Sequence, residues 1–156
     1  MRCALIHRPA GHWPKFEATD TCTLDFEARH RRRARLTSDR GEDLILDLPK
    51  AIAMAEGDGL FLEGGGWLMI HAAAEPVVEV RHENPDQVAR LAWHLGNRHL
   101  PIEVRSQVLR IRPDYVIEAM LRGFGAFLVN MKAPFQPEGG AYDDHNNHGI
   151  GAHPHE

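Results

Sequence analysis

Eleven histidines are the compositional anomaly of this chain of 156 residues, and five of them are candidate ligands of a metal ion. His99 follows a predicted helix and precedes Pro101, so we expect its imidazole to be held in a short, rigid turn. Four more histidines stand in a segment rich in Gly, Asp and Asn: His145, His148, His153 and His155. Imidazole suits borderline ions such as Ni(II), Cu(II) and Zn(II). We therefore interpret the protein as a carrier of such an ion.

The helix that positions His99 is predicted from an apolar face over residues 85–95. The apolar residues recur at helical spacing: Val88, Leu91, Ala92 and Leu95. Gly96 is expected to end the helix in the left-handed conformation, and Pro101 prevents the helix from continuing. One histidine is not a metal site, so the remaining ligands must come from the tail histidines or from a second copy of the chain.

The composition is that of an ordinary globular protein, with 43% hydrophobic and 26% charged residues. The formal net charge of −4 argues against a general nucleic-acid binder, for which basic residues supply most of the affinity. The two cysteines, Cys3 and Cys22, have no CxxC spacing, which predicts neither a disulfide framework nor a thiolate zinc site. Because the sequence shows no signal-peptide pattern and no membrane-spanning apolar run, we expect a cytoplasmic protein.

The first part of the chain, residues 1–74, is predicted to be a small all-β domain. Apolar and charged residues alternate over 24–28 and again over 44–48, and a turn is expected at 38–41, which together predict an antiparallel hairpin. Further strands are expected beside glycine-rich turns, at 60–62 and 67–70.

A basic run, RHRRRAR at residues 29–35, lies inside this domain. Such a run can indicate a nuclear-localisation signal or an RNA contact. On a strand, however, its odd-numbered arginines would share one solvated face: Arg29, Arg31, Arg33 and Arg35. Nearby carboxylates balance their charge. We interpret the run as a solvated face, with a partner-docking surface as the alternative.

Residues 75–138 show the element order βαββαβ of a ferredoxin-like domain. The sequence predicts the strands at 77–80, 102–104, 108–111 and 127–131, and the helices at 85–95 and 116–124. Asp114 can cap the second helix. The apolar stripe of that helix comprises Val116, Ile117, Met120, Leu121 and Phe124.

Residues 139–156 hold almost no large apolar side chain, so we expect a mobile tail that carries the four histidines. The predicted fold class is therefore α+β. It comprises a small all-β domain, a ferredoxin-like βαββαβ domain and a disordered His-containing C-terminal tail.

Several motifs make the chain resemble a known family, the UreE urease accessory proteins, which are nickel metallochaperones. The most specific motif is GNRHLP at 96–101 inside the βαββαβ order. The supporting motifs are at 57–58, 73–75, 114–125 and 134–142. The resemblance implies that the N-terminal β domain is similar to a peptide-binding domain and that the ferredoxin-like domain forms a homodimer. It also implies that His99 binds nickel across the dimer axis.

The resemblance further implies a non-enzymatic protein that delivers Ni2+ for assembly of the urease active site, with Zn2+ or Cu2+ as competing ions. The implied partners are the urease apoprotein and other urease accessory proteins, including the accessory GTPase; neither nucleic acid nor a membrane is expected. The chain also departs from the family. Some members carry paired histidines where residues 110–113 are Arg, Ile, Arg and Pro, so no peripheral metal site is expected there.

Three alternative functions are weighed against nickel delivery. An RNA-binding module shares the order βαββαβ, and RGFGAF at 122–127 resembles its aromatic motif, but here that motif closes a helix rather than lying on the third strand. A metal hydrolase needs about three fixed ligands, and the chain has no HExxH-like cluster. General metal storage is the third alternative.

The other histidines are weaker candidates as metal ligands. His94 lies on the predicted helix, five positions before His99, so the two would not share a helical face. We expect a structural role for the remaining five, which have no partner at ligand spacing: His7, His12, His30, His71 and His82.

Overall fold

A computed structural model of the chain describes residues 1–139, which form ten β-strands and two α-helices. The chain divides into two compact units between Ala73 and Ala74. The first unit holds a six-stranded sheet, and the second holds a four-stranded sheet with both helices. The predicted α+β fold class is confirmed. The prediction of a mobile tail falls on residues that lie, from 140 onward, outside the described part. Neither helix in residues 1–139 is long and apolar enough to cross a membrane.

The first unit is a mixed six-stranded sheet, and the sequence predicted only some of its strands. Its strands are β1 (Arg2–Arg8), β2 (Ala18–Leu24), β3 (Arg33–Thr37), β4 (Asp43–Asp47), β5 (Gly59–Leu62) and β6 (Trp67–Ala72). They lie in the order β2-β6-β5-β1-β4-β3, with β1 parallel to β4 and β2 parallel to β6. The core includes fully buried side chains from several strands: Leu44, Leu46, Leu60, Leu68 and Ile70.

The predicted hairpin is correct in its second strand and wrong in its first. β3 and β4 pair antiparallel across the turn at 38–41. The alternation over 24–28 does not form a strand, because β2 ends at Leu24 and a single 3-10 turn follows at Ala28–His30. The Asp25 carboxylate accepts a hydrogen bond from the Ala28 N–H at 2.9 Å. This local bond offers the backbone an alternative to strand pairing.

The basic run does not form the single solvated face predicted for it. Arg29 is only 3% exposed, and its guanidinium donates hydrogen bonds to the carbonyl oxygens of Leu24 and Met54 at 3.1 and 3.0 Å. The strand begins only at Arg33. From there the prediction is correct, since the Arg33 and Arg35 side chains are exposed. Two backbone carbonyl groups, one of them 25 residues away, therefore hold this arginine inside the unit.

The second unit has the predicted ferredoxin-like order. Its elements are β7 (Ala74–Arg81), α1 (Pro85–Asn97), β8 (Glu103–Arg105), β9 (Val108–Ile111), α2 (Tyr115–Gly123) and β10 (Phe127–Pro134). The sheet order is β10-β7-β9-β8, so β10 and β8 are the edge strands. β7 pairs antiparallel with both β10 and β9.

One face of this sheet packs with the helices into a single core. The core includes Val78, Val80, Leu91, Leu95, Leu109, Ile111, Ile117 and Leu121. Asp114 caps α2 as predicted, because its carboxylate accepts hydrogen bonds from the N–H groups of Val116 and Ile117 at 3.0 and 3.2 Å. The predicted apolar stripe is too wide: Val116 is 63% exposed, and Phe124 lies beyond the helix end and is also exposed.

The opposite face of the sheet carries a buried carboxylate, Glu79, on β7. Its carboxylate accepts hydrogen bonds from Arg81 and from Arg110 Nε, the latter at 3.1 Å. Burial alone would raise the pKa of the Glu79 carboxyl, but the two guanidinium groups outweigh burial and lower this pKa. Arg110, on β9, therefore forms an ion pair across the sheet with Glu79, on β7.

Candidate metal centre

Helix α1 ends two residues before His99 and is held at its start and along one face. Asn84 caps its start, where the Asn84 side chain accepts a hydrogen bond from the Asp86 N–H at 3.0 Å and Pro85 occupies the first helical position. The face that the helix buries against the sheet carries Val88, Leu91 and Leu95. Because both the start and one face are fixed, the end of the helix has a defined position.

The helix ends in a Schellman motif. The His99 N–H donates to the Gly96 carbonyl at 3.0 Å, and the Leu100 N–H donates to the Leu95 carbonyl at 3.4 Å. This is the paired bonding pattern that satisfies the last carbonyl groups of a helix. Leu95 is fully buried, and Leu100 packs against the same core, which adds the hydrophobic contact typical of the motif. Pro101 then blocks further helix, as predicted.

His99, rather than Gly96, adopts the left-handed conformation. Gly96 lies inside α1, and His99 has φ = +58°. The prediction that Gly96 terminates the helix is therefore wrong, because the hydrogen bonds extend the helix to Asn97. The left-handed position of this motif is usually Gly, since a side chain there costs about 1–2 kcal/mol. Gln107, in the turn between β8 and β9, is the other non-glycine residue of residues 1–139 with a positive φ, and both side chains are exposed.

Replacing His99 with glycine should stabilise the fold. Relief of the left-handed strain outweighs the extra chain entropy of glycine, so we expect the free energy of unfolding to rise by about 0.5–1 kcal/mol. Urea denaturation of the metal-free protein measures this change. The matched control is His94→Gly on α1, which should lower the free energy of unfolding because glycine is unfavourable inside a helix. A less stable His99→Gly variant would contradict the account.

Exposed aromatic side chains surround the end of α1. Trp93 is 64% exposed, although it stands between the buried residues Leu91 and Leu95. The His94 ring stacks on the Phe124 ring, with centroids 4.5 Å apart and planes 14° from parallel. His94 is thus engaged by an aromatic partner. Two large aromatic side chains, Trp93 and Phe124, are thus exposed in this part of the second unit.

A cleft of about 430 Å³ in the second unit begins directly after His99. It is lined by Glu75, Pro76, Leu100, Pro101, Ile111, Arg112, Pro113, Asp114 and Ile117. Its walls combine apolar side chains with charges of both signs. Two of its lining residues, Leu100 and Pro101, follow His99 directly in the chain.

The segment after β10 runs from one edge of the sheet to the other. β10 ends at Pro134, and Phe135 is fully buried. The Gln136 N–H donates to Glu103 Oε1 at 3.0 Å, and the Glu138 N–H donates to the Ile102 carbonyl at 2.7 Å. Ile102 is only three residues beyond His99, a separation of at most about 11 Å. The last described residues are therefore held close to His99.

Most of the other histidines of residues 1–139 have side-chain contacts of their own. His7 Nε2 is 2.7 Å from the Asp58 carboxylate, and His71 Nδ1 is 2.7 Å from the Glu56 carboxylate. His82 Nδ1 accepts a hydrogen bond from the Asn84 N–H, and the His30 ring contacts Phe26 edge-on. Within the described residues, no three His, Cys, Asp or Glu side chains come together as a metal site.

Of the predicted ligands, His99 alone falls within the described residues. His145, His148, His153 and His155 lie outside residues 1–139. The structure thus gives the position of one predicted ligand, His99, and of residues 136–138 near the end of the described chain. Sequence reasoning missed two features of this site: the left-handed backbone of His99, for which Pro101 was a partial signal, and the attachment of residues 136–138.

Two family models match the chain, and together they cover nearly all of it. The model described as UreE urease accessory protein, N-terminal domain, matches residues 5–73. The model described as UreE urease accessory protein, C-terminal domain, matches residues 75–156. The boundary between the two matches coincides with the boundary between the two structural units.

Similar curated proteins carry the name urease accessory protein UreE. The chain is 52% identical over 131 residues to that of Bradyrhizobium sp. (strain ORS 278), which covers 84% of this chain and 62% of the relative. It is 48% identical over 140 residues to that of Chelativorans sp. (strain BNC1), which covers 89% of each. It is 45% identical over 131 residues to that of Rhizobium meliloti (strain 1021), which covers 83% of the relative. The chain thus spans about three fifths of the length of the Bradyrhizobium relative.

Proposed function

The chain belongs to the UreE family of urease accessory proteins, and from that premise we propose that it is a metallochaperone that delivers Ni(II) for assembly of the urease active site. Nickel is its cargo, and the protein carries out no catalysis. The names of its relatives support an accessory role in urease assembly.

The observation that carries the proposal is the conformation of His99. An exposed imidazole occupies the left-handed position of a Schellman motif, where glycine would be more stable. The backbone on both sides is fixed by hydrogen bonds and by Pro101, so binding a metal orders little additional chain. A ligand whose position is set in advance binds with a smaller entropic penalty.

A single His99 becomes a pair of ligands in a homodimer. A twofold axis duplicates every residue beside it, so two imidazoles face one ion if the His99 turn lies near the axis. The exposed Trp93 and Phe124 support an interface at this end of the second unit, since large exposed apolar patches commonly mark contact surfaces. In this proposal, residues 75–138 form the metal-binding and dimerisation domain.

The tail histidines complete the coordination sphere. Glu138 is hydrogen-bonded to Ile102, and His145 follows it by only seven positions. A chain of seven steps spans up to about 25 Å, which exceeds the distance of roughly 14 Å from that bond to His99. His145, His148, His153 and His155 can therefore supply further ring nitrogens. A ligand on a tail can also be exchanged when the ion passes to an acceptor.

The donor set fits nickel but also fits its competitors. Imidazole nitrogens bind Ni(II), Zn(II) and Cu(II), and Cu(II) binds most strongly at equal availability. The proposal of nickel therefore rests on membership of the family rather than on the ligands. The partners proposed on the same basis are the urease apoprotein and the urease accessory proteins, including the accessory GTPase, with residues 1–74 as a peptide-binding-like domain.

RNA binding is disfavoured by where its aromatic motif falls. Residues 122–127 run from the end of α2 into the start of β10, an edge strand. Phe124 of this motif stacks on His94 instead of standing on a central strand. Residues 75–138 also contain eight Lys and Arg against eight Asp and Glu, so they have no basic excess to attract phosphates.

Delivery to urease tests the function directly. Urease apoprotein and its accessory proteins are supplied with the nickel-loaded protein in the presence of a chelator that removes free nickel. We expect urease activity to appear with the loaded protein and to be absent with the same amount of nickel chloride. Equal activation by the loaded protein and by nickel chloride would contradict the proposal.

A further inference from the structure

The edge strand β10 lacks the protection that the opposite edge of its sheet has. β8 spans only three residues, Glu103–Arg105, and the Glu138 N–H donates to the Ile102 carbonyl beside it. β10 spans eight residues, Phe127–Pro134, and pairs with β7 without a bulge. Among the strands of residues 1–139, β7 is its sole neighbour. A long, regular edge strand offers its free backbone groups to another strand.

Two prolines identify which backbone groups of β10 point outward. Pro134 pairs with Ala74, and Lys132 pairs with Pro76. Proline has no N–H group, and hydrogen-bonded pairs alternate with other pairs along an antiparallel ladder. Since neither of these pairs can exchange two hydrogen bonds, the even-numbered residues of β10 direct their N–H and carbonyl groups away from β7. Those with an N–H group are Leu128, Asn130 and Lys132.

The side chains of β10 suit contact with another apolar strand. Leu128 packs against the core that contains the helices, so the odd-numbered side chains lie on the opposite face of the sheet. Phe127 and Val129 on that face are 55% and 37% exposed. Lys132 is the single charged residue of the strand. Short length, bulges and clustered charges keep natural edge strands apart, and β10 has none of these features.

A second copy of β10 fits this edge in an antiparallel register centred on Asn130. With the two Asn130 residues opposite each other, Leu128 of one copy faces Lys132 of the other, and every outward N–H group meets a carbonyl. The same register sets Val129 opposite Met131, which is an apolar pair. It also keeps the two Lys132 side chains apart, whereas a register centred on Lys132 would place their like charges opposite each other.

We propose that β10 is a seam at which two copies of the chain pair edge to edge, in the antiparallel register centred on Asn130. About six backbone hydrogen bonds then join the two four-stranded sheets. The seam is distinct from the interface proposed around His99, because β8, which follows His99 in the chain, is the opposite edge of the sheet, about 14 Å from β10. The seam needs no metal ion, so it does not rest on the proposed function.

Cysteine crosslinking tests the register in the metal-free full chain. In the proposed pair, the Cα atoms of the two residues at position 130 lie about 5.5 Å apart, which suits a disulfide bond. We expect Asn130→Cys to give a disulfide-linked dimer on mild oxidation. Phe127→Cys is the matched control, since its two copies would lie about 20 Å apart along the seam. The unsubstituted chain controls for Cys3 and Cys22.

Sedimentation equilibrium of the metal-free chain measures the pairing itself. One strand per copy contributes less area than the roughly 800 Å² per partner of a standard interface, so we expect association that depends on protein concentration. Asn130→Pro removes an outward N–H group and should weaken this association about tenfold or more, whereas Asn130→Ala keeps that group and should not. Val129→Lys adds a charge without changing the backbone and should weaken the association similarly.

The outcomes decide for or against the seam. A crosslinked dimer with Asn130→Cys but not with Phe127→Cys supports the seam and its register. Equal crosslinking of both variants would overturn the proposal, since it indicates random collision, and so would failure of Asn130→Cys to crosslink. Equal association of Asn130→Pro and the unsubstituted chain would overturn it too. Circular dichroism checks the fold, and if Asn130→Pro does not fold, Val129→Lys decides the association test.

Discussion

Replacing His99 with alanine is expected to remove the tight nickel site while leaving the dimer intact. In the dimer, this substitution deletes both imidazoles that face the ion. The loss of affinity should exceed the roughly 10- to 100-fold seen when a residue that only supports a metal ligand is replaced. Native mass spectrometry should show one tightly bound nickel ion per dimer in the unsubstituted protein and none in the variant.

The fold should survive this substitution because the His99 side chain is exposed and belongs to neither hydrophobic core. Alanine retains the strain of the left-handed backbone, so the stability should change little. His94→Ala is the matched control on α1, since the His94 ring packs on Phe124 and does not lie in the turn that holds His99. Unchanged nickel stoichiometry in His99→Ala, or equal loss in His94→Ala, would refute the assignment of His99 as the ligand.

Lowering the pH from 7 to 5 is expected to weaken nickel binding by several hundredfold. A metal binds only neutral imidazole, and free histidine has a pKa of about 6.5. Between these pH values, the neutral fraction of such a group falls about 25-fold, and the fall for two groups multiplies to about 600-fold. Competition titrations against a chelator of known pH dependence, from pH 5 to pH 8, measure the effect.

Unfolding does not account for a loss in this range of pH. The pKa of Glu79 is lowered in the folded state by Arg81 and Arg110, although burial opposes the shift. A carboxyl with a lowered folded pKa stabilises the protein above its unfolded pKa of about 4.3 and loses this contribution only as the pH falls further. Circular dichroism should therefore be constant from pH 7 to pH 5. Nickel affinity that is equally constant would contradict histidine ligation.

Patterns that depend on neighbouring residues predicted the second unit well. Helical periodicity located α1 and α2, and Asp114 caps α2 as its residue type indicates. The sequence also placed His99 just beyond a helix end before Pro101. These predictions succeed because periodicity, capping and the effect of proline act within a few residues.

Of three predictions that failed, a distant group accounts for one. Arg29 is buried, where its guanidinium donates a hydrogen bond to the carbonyl oxygen of Met54, 25 residues away. The other two failures have local causes that residue patterns did not reveal. The Asp25 carboxylate bonds the Ala28 N–H where a strand was predicted, and the Schellman hydrogen bonds place the left-handed residue at His99 instead of Gly96.

The sequence by itself determined the α+β class, the βαββαβ order and the candidacy of a single histidine in a fixed turn, since each follows from the order of residues along a short stretch. Only the tertiary structure decided that His99 takes the left-handed conformation and that residues 136–138 are fastened beside it. The reason is that the hydrogen bonds from Gln136 to Glu103 and from Glu138 to Ile102 join residues more than 30 positions apart. Such pairings exist only once the sheet has formed.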